Sequence, residues 1–553
     1  MHWTASHERV TAREPGVFRQ LAEAVVFLSL AVIGFRGFIA EGYMISTGSM
    51  APCLLGFHRQ IVCPDCAYAF SRGTRYDVED TILAEGQSTS DFGVSEYEET
   101  VCPNCGLSGI NVSHVPRNEG DQLLVHKHFY QLRAPRRWEV VVFRHPNEPE
   151  QAYVKRVAGL PGEVIQLIEG DVVVDGVLQR KPLAVQRSMR IGVYDNDFEP
   201  LSDDWHPRWE SIDADSQWQA DGAAFQFHKS SEHHSETHEI DWLAYHHWIR
   251  RGGQHHSSVP LTHWPLEDRS PESFSPSLSF DEENRRLSCA GVLTNEVVAH
   301  LNDASSDDEF HEAVTLLMDK SHQGQITDVY GYNHPRSARQ PYPVHDLMLS
   351  TRVHHLKGDG EFRVRMTDGW HWFETVFDFT SQEARLSVDN AVDPLRTALM
   401  PASLATGSGV IEMSVFDRQV LVAVDGEEVF PPLSYSGKEI PRADAHKPVL
   451  LGASGLDLVV DQLQLYRDVY YTPKDAGSDE HPILVGPGEL MVLGDNSPVS
   501  VDSRSWESPT IPQSLLIGKP FLVHLPSQQE EVQIGSKVRH IRIPDFSRVR
   551  YIH

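Results

Sequence analysis

The chain has 553 residues, of which 40% are hydrophobic and 23% charged, and its formal net charge is −30. That length exceeds what one core organises, so two or three domains are expected, and the composition is that of a globular rather than a disordered protein. The acid excess argues against nucleic acid as a partner, because a phosphate backbone needs a basic surface; it fits a large exposed domain kept soluble by charge.

Residues Ala22–Ala40 are the one apolar segment of membrane length, with only Glu23 and Arg36 charged. A spanning helix needs roughly 20 such residues. The strictly uncharged run Ala24–Phe35 is shorter, so a cleaved signal sequence or a buried core helix competes with this reading. Arg36 can snorkel to the interface and no clear small-x-small cleavage site follows, which favours a span. Arg9, Arg13 and Arg19 precede the segment and the acidic bulk follows it. By the positive-inside rule, residues 1–20 are then cytoplasmic, 21–40 form a transmembrane helix, and the remainder lies outside the membrane.

The segment Ser46-Thr-Gly-Ser-Met-Ala-Pro-Cys-Leu-Leu55 follows at once and places Ser49, a candidate nucleophile, at the bilayer surface. A serine needs a base to act so. Next come Cys63-Pro-Asp-Cys66 and Cys102-Pro-Asn-Cys105, separated by 35 residues. Such knuckles are typical of zinc ribbons, in which four thiolates surround one tetrahedral ion; a pair of disulfides is the alternative in an oxidising compartment. Cys53 and Cys289 have no evident partner and read as free thiols.

Leu123–Phe129, Glu139–Phe143 and Val164–Val174 are rich in aliphatic and β-branched residues and read as short strands, with Asp175-Gly176 as a hairpin turn. Tyr153-Val-Lys-Arg-Val-Ala-Gly-Leu-Pro-Gly162 offers Lys155 as the missing base. A lysine takes a proton only when neutral, which burial promotes; a solvated Lys155–Arg156 pair is the bland alternative.

From about residue 190 the pattern changes. His228, His233, His234, His238, His246, His247, His255 and His256 cluster without the His-Glu-x-x-His spacing of a metal site, and read as a polar face or loop. Asp303–Asp308 reads as a solvated loop. Phe362, Val364 and Met366, then Ile411, Met413 and Val415, then Val420, Val422 and Val424 alternate as half-buried strands of a β-sandwich. Trp370 and Trp372 could stack on a carbohydrate or lie in the sandwich core. At Pro482–Gly494 the earlier pattern resumes and leads into Gly494-Asp-Asn-Ser-Pro-Val-Ser-Val-Asp-Ser-Arg504.

Four of these segments, Ser46–Leu55, Gly120-Asp-Gln-Leu-Leu-Val-His-Lys127, Tyr153–Gly162 and Gly494–Arg504, resemble in order the boxes of bacterial type I signal peptidases. Those are membrane-anchored Ser/Lys proteases that cut signal peptides from exported proteins. The resemblance covers roughly residues 20–56, 118–190 and 483–525. It implies a mainly β catalytic body, like that of signal peptidases and LexA, assembled from 41–56, 118–190 and 471–553. A zinc-ribbon-like module, 57–117, and a jelly-roll-like β-sandwich, 191–470, would be inserted in it. Within the latter, Ile411–Phe430 resembles a strand pair of concanavalin-like or laminin-G-like folds.

The resemblance makes Ser49 the nucleophile and Lys155 the general base, with the Ser49 N–H and the Thr47 hydroxyl as oxyanion donors. Ser500 would hydrogen-bond and orient the lysine, Asp502 and Arg504 would form a supporting ion pair, and Gly494, Asp495 and Asn496 would form the turn that returns their strand to Lys155. Ile45, Leu54 and Val154 would line pockets for small side chains. Ser46 stands where relatives often have proline and Cys53 where they often have threonine.

The expectation is a membrane-tethered extracytoplasmic endopeptidase of the bacterial inner membrane, acting on signal-peptide-bearing preproteins at the lipid bilayer. No cofactor enters its chemistry, Cys63, Cys66, Cys102 and Cys105 hold a structural Zn²⁺, and the inserted domain could take a carbohydrate or protein ligand. A self-cleaving LexA-type regulator shares the dyad, but a membrane span argues against it. A membrane-anchored binding scaffold is the alternative of another class, opposed by the intact Ser49, Lys155 and Ser500.

Overall fold

The computed structural model of the chain describes residues 17–38, 40–74, 99–202, 205–229, 240–250, 256–333, 341–438, 440–443, 445–473, 482–534 and 537–552. They fold as mainly β structure with few helices. Arg9 and Arg13, and His233, His234, His238 and His255, lie outside the described residues.

Val17–Phe38 forms one helix of 22 residues. Among the described residues, however, no helix is long and apolar enough to cross a membrane. The expected span is corrected on this point: Gln20, Glu23, Ser29 and Arg36 dilute the apolar stretch, and Arg19 pairs with Glu23 at 2.7 Å on its surface. Val25, Phe27, Leu28 and Leu30 of this helix are exposed.

Directly after it, Ala40–Met44 opens an eight-stranded sheet in the order Ala40–Met44, Gln122–His126, Leu516–Val523, Val140–His145, Glu148–Gly159, Glu489–Leu493 and Ile511–Pro512, with Arg550–Tyr551 paired to Leu516–Val523. Its strands come from three distant stretches of chain. The apolar run Val140–Phe143 is buried throughout, as a central strand covered on both faces requires. Glu148–Gly159 lies between Val140–His145, where Lys155 faces Val141, and Glu489–Leu493, where Arg156 faces Leu493. That placement carries Lys155 to the downstream segment.

A second sheet joins Val164–Ile168, Asp171–Val174 and Val177–Leu178 to Ile483–Leu484. Its hairpin turns at Asp175 (φ 50°) and Gly176 (φ 79°), two left-handed residues in succession as a type I′ turn demands.

A third, 14-stranded sheet centres on two long antiparallel strands, Leu347–Thr367 and Val449–Arg467, flanked by Ser408–Phe416, Gln419–Val424 and Trp372–Asp378 on one side and by Ile191–Asp195 and Asp241–Tyr245 on the other. The alternating residues Phe362, Val364, Met366, Ile411, Met413 and Val415 are all buried in one core. Guanidinium groups occupy the tryptophans considered for carbohydrate stacking: Arg418 and Arg442 lie 5.2 and 4.4 Å from the Trp370 ring centre, and Arg365 lies 4.9 Å from that of Trp372. At the seam with the hairpin sheet, buried Lys181 bridges Asp417 at 2.5 Å and Asp468 at 2.7 Å.

Two expectations for the insertion are corrected. The segment read as a solvated loop, Asp303–Asp308, keeps a loop only at 305–307, between the helices Asn295–Ala304 and Asp308–His322. Asp307 caps the second helix through the Phe310 N–H at 2.9 Å. Phe310, Ala313, Val314 and Leu317 bury a helical stripe that the acidic residues beside it conceal. His246, read as part of a polar face, is instead buried and His247 half-buried, and burial holds both below the ordinary histidine range.

Candidate active site and cysteine cluster

The nucleophile segment makes one short turn, Gly48–Met50, between the first strand and the first insertion. Met50 anchors it, 1% exposed in a core shared with Ile45, Leu54, Leu123, Val140 and Val142. Ser49 is left half-buried and Thr47 exposed. Lys155 Nζ reaches Ser49 Oγ at 2.6 Å. The lysine is 2% exposed, so the alternative of a solvated pair with Arg156 fails. Thr47 Oγ1 stands 3.5 Å from Ser49 Oγ, on the nucleophile's own turn.

The downstream segment closes the site from behind. Asn496 donates its N–H to the Ser49 carbonyl at 3.0 Å and its Nδ2 to the Gly48 carbonyl at 2.9 Å. Gly494 gives its N–H to Asp502 at 2.9 Å, and Arg504 clamps both oxygens of Asp502 at 2.9 and 2.6 Å. Burial pushes the Asp502 carboxyl up, but the Arg504 guanidinium, its hydrogen bonds and the charge of Lys155 outweigh this and hold it below the usual carboxylate range. Ser500 is wholly buried beside Gly494, and its hydroxyl has no hydrogen-bond partner among the described residues. The expected bond from Ser500 to the lysine is therefore not formed.

Asp495 does more than shape a turn. Both its oxygens bind Arg156, at 2.8 and 2.7 Å, in a pair no more than 1% exposed. The same guanidinium donates to the Trp138 carbonyl at 2.7 Å and to Cys53 Sγ at 3.6 Å. Of the residues expected to line a substrate pocket, Val154 is partly exposed, whereas Leu54 is 0% and Ile45 6% exposed; these two pack the core under the nucleophile turn instead. Alternation alone does not separate a pocket wall from a core residue.

Several contacts at the site are not assigned by the sequence motifs. Asp121 binds the Leu55 N–H at 3.0 Å and receives Arg548 and Arg550 from the far end of the chain at 2.6 and 3.2 Å. Gly120 beside it has no room for a side chain, since a Cβ there would stand 1.7 Å from the Ile45 carbonyl oxygen. Tyr332 and Asn333, from the inserted domain, abut Gly48 and Asn496.

Cys63, Cys66, Cys102 and Cys105 converge with all four sulfurs within 4.8 Å of one another. The Cys63–Cys105 and Cys66–Cys102 separations are both 3.7 Å, and all six cysteines are free. Disulfide sulfurs would be about 2.0 Å apart. Four thiolates about 2.3 Å from one tetrahedral ion would be roughly 3.8 Å apart, so the set fits such an ion. The cluster packs on the core around Leu347–Thr367 and Val449–Arg467 rather than on the eight-stranded sheet. Asn104 donates to the Asp195 and Phe198 carbonyls at 3.1 and 3.0 Å, and Arg250 pairs with Asp65 at 2.7 Å.

Residues 111–220 match the family model described as signal peptidase, peptidase S26. That stretch includes Lys155 and ends in the strand Trp218–Asp221. The chain is also 41% identical over 64 residues to signal peptidase I of Leptolyngbya laminosa, covering 10% of this chain and 31% of that protein. It is 35% identical over 82 residues to signal peptidase I of Pseudomonas fluorescens (11% and 29%), and 54% identical over 37 residues to that of Rickettsia typhi (7% and 14%). The chain thus spans less than a third of the length of these relatives. Among solved structures it is similar to the carbohydrate-binding module CBM66 from Bacillus subtilis, at 8% identity over 21% of this chain and 73% of that one, with a TM-score of 0.17. The galectin LEC-6 of Caenorhabditis elegans matches at 10% identity over 22% and 80%, with a TM-score of 0.16.

Proposed function

We propose that this chain is a Ser/Lys endopeptidase that removes signal peptides from exported preproteins. The observation that carries the reading is the 2.6 Å hydrogen bond between Lys155 Nζ and Ser49 Oγ, two buried or half-buried groups 106 residues apart in sequence. At that separation a neutral lysine takes the hydroxyl proton as Oγ attacks the scissile carbonyl. The Ser49 N–H and the Thr47 hydroxyl receive the oxyanion, and Lys155 returns its proton to the departing amine. Water then cleaves the acyl-enzyme with the same lysine as base. Asp502–Arg504 and Arg156–Asp495 keep the backing segment rigid.

The four cysteines hold a structural Zn²⁺ in this reading; it stiffens the first insertion and takes no part in the reaction. The exposed apolar side chains of Val17–Phe38, ending shortly before Ser49, rest against a lipid surface without crossing it, which brings the site to membrane-inserted signal sequences.

The test is processing of a purified preprotein with small residues before its cleavage site, in detergent or vesicles. Wild type cleaves it, Ser49→Ala abolishes cleavage, and Lys155→Met lowers the rate by roughly 10²–10⁴-fold. An intact preprotein after incubation with wild type, or cleavage by Ser49→Ala, refutes the proposal.

A further inference from the structure

The nucleophile turn is held from a side that none of the four sequence segments supplies. The Gly73 N–H donates to the Tyr332 carbonyl at 2.9 Å, and the Tyr332 hydroxyl donates to the Phe57 carbonyl at 3.2 Å. The Tyr332 ring fills the space over Gly48 so closely that a Cβ there would stand 2.2 Å from it.

Asn333 reaches further. Its Nδ2 donates to Asn496 Oδ1, and Asn496 Nδ2 donates to Asn333 Oδ1, each at 2.7 Å. The two side-chain amides thus form a closed reciprocal pair. Asn496, 1% exposed, uses the same amide nitrogen on the Gly48 carbonyl and its backbone N–H on the Ser49 carbonyl. The contacts of its amide are therefore complete only with Asn333 in place.

The Gly48–Ser49 peptide links this pair to the chemistry. A trans peptide is planar, and its C=O and N–H point in opposite directions. Holding the Gly48 carbonyl from behind therefore aims the Ser49 N–H forwards, toward the oxyanion. Without Asn333, the Asn496 amide is free to turn its oxygen toward the Gly48 carbonyl, which repels it and rotates the peptide plane. A small tilt of this donor matters because oxyanion stabilisation depends on donors fixed in advance.

We propose that Asn333 is a positioning residue of the peptidase: through Asn496 it aims the Ser49 N–H, so the inserted domain sets the rate of the reaction. This rests on the Ser/Lys reading above. It gives the insertion a kinetic role, since any ligand or partner that shifts the Tyr330–Asn333 segment changes turnover without touching substrate.

The experiment uses the full chain and four variants: Asn333→Ala, Asn333→Asp, Tyr332→Phe and Ser49→Ala. It measures kcat and KM for a preprotein, acylation of Ser49 by an activated ester followed by intact mass, and thermal melting. Asn333→Ala is expected to lower kcat and the acylation rate together by about 10–100-fold, with KM within about twofold and melting close to wild type. Asn333→Asp keeps the acceptor for Asn496 and loses the donor, so its kcat falls too; it decides the matter if Asn333→Ala does not fold. Tyr332→Phe, which keeps the ring over Gly48 and loses the hydroxyl's contacts with Phe57 and Gly56, stays within about threefold of wild type. An unchanged kcat in both Asn333 variants, or a loss matched by a collapse in melting, overturns the inference while wild-type cleavage leaves the dyad standing. A wild type whose Ser49 does not acylate overturns both.

Discussion

Replacing Gly494 with alanine tests the packing behind the nucleophile. Its φ lies outside the left-handed region, so the backbone tolerates alanine and the penalty is steric. The new Cβ would stand 2.1 Å from Ser500 Oγ, 2.6 Å from Ser500 Cβ and 2.5 Å from the Ser49 carbonyl oxygen. Ser500 is wholly buried, and the Ser49 carbonyl is fixed by the Asn496 N–H, so neither can swing away at low cost. To reach an ordinary contact the Ser49 carbonyl must retreat by about 0.9 Å, and a displacement near 1 Å at a reacting group costs on the order of 10²-fold in rate. Overpacking of this kind also costs ~1–3 kcal/mol of stability, too little to unfold a chain of this size. Gly494→Ala is therefore expected to stay folded, melt a few degrees lower and process a preprotein about 10²-fold more slowly in single turnover. A rate within threefold of wild type, with melting unchanged, would show that Gly494 is not pressed against Ser49 as described.

Asp495→Asn leaves the Arg156 guanidinium buried without its counter-charge, at a cost of ~3–5 kcal/mol in chemical denaturation, and unaltered stability would contradict the buried pair. Burial holds His58, His247 and His322 below the ordinary histidine value, so below about pH 6.5 the unfolded chain binds protons that the folded chain refuses. Stability is then full above that pH and falls as the solution is acidified, and a melting midpoint no lower at pH 5.5 than at pH 7.5 would refute this. Purified protein should contain one zinc per chain, lost on treatment with a strong chelator together with part of its thermal stability and absent from Cys102→Ser. A metal-free chain with the four cysteines oxidised would defeat that assignment.

The pairing of Ser49 with Lys155 and the Asp502–Arg504 clamp were legible because short ordered motifs encode them and each motif folds locally. The buried positions Phe362, Val364, Met366, Ile411, Met413 and Val415 were legible from their alternation. What escaped is of another kind. Asn333 meets Asn496 across 163 residues, and Arg548 meets Asp121 across 427, and neither contact leaves any spacing or periodicity in the chain. The helix Asp308–His322 was hidden because its cap and first turn are acidic, which reads as solvation until the stripe from Phe310 to Leu317 is counted. His247 was misjudged for the opposite reason: a polar residue type is drawn half inside because Tyr245 satisfies its ring at 2.9 Å. The helix Val17–Phe38 shows that length alone does not make a span.

The 448 residues between Gly48 and Asn496 also impose an order of events during synthesis. The Gly48–Met50 turn leaves the ribosome before the segment that backs it is made. At roughly 5–20 residues per second the interval is about 20–90 s. Until it ends, the nascent chain carries Ser49 with no fixed Gly48 carbonyl and no buried Arg156–Asp495 pair. On the Ser/Lys reading proposed above, a chain stopped between the two segments carries Ser49 unsupported and is silent.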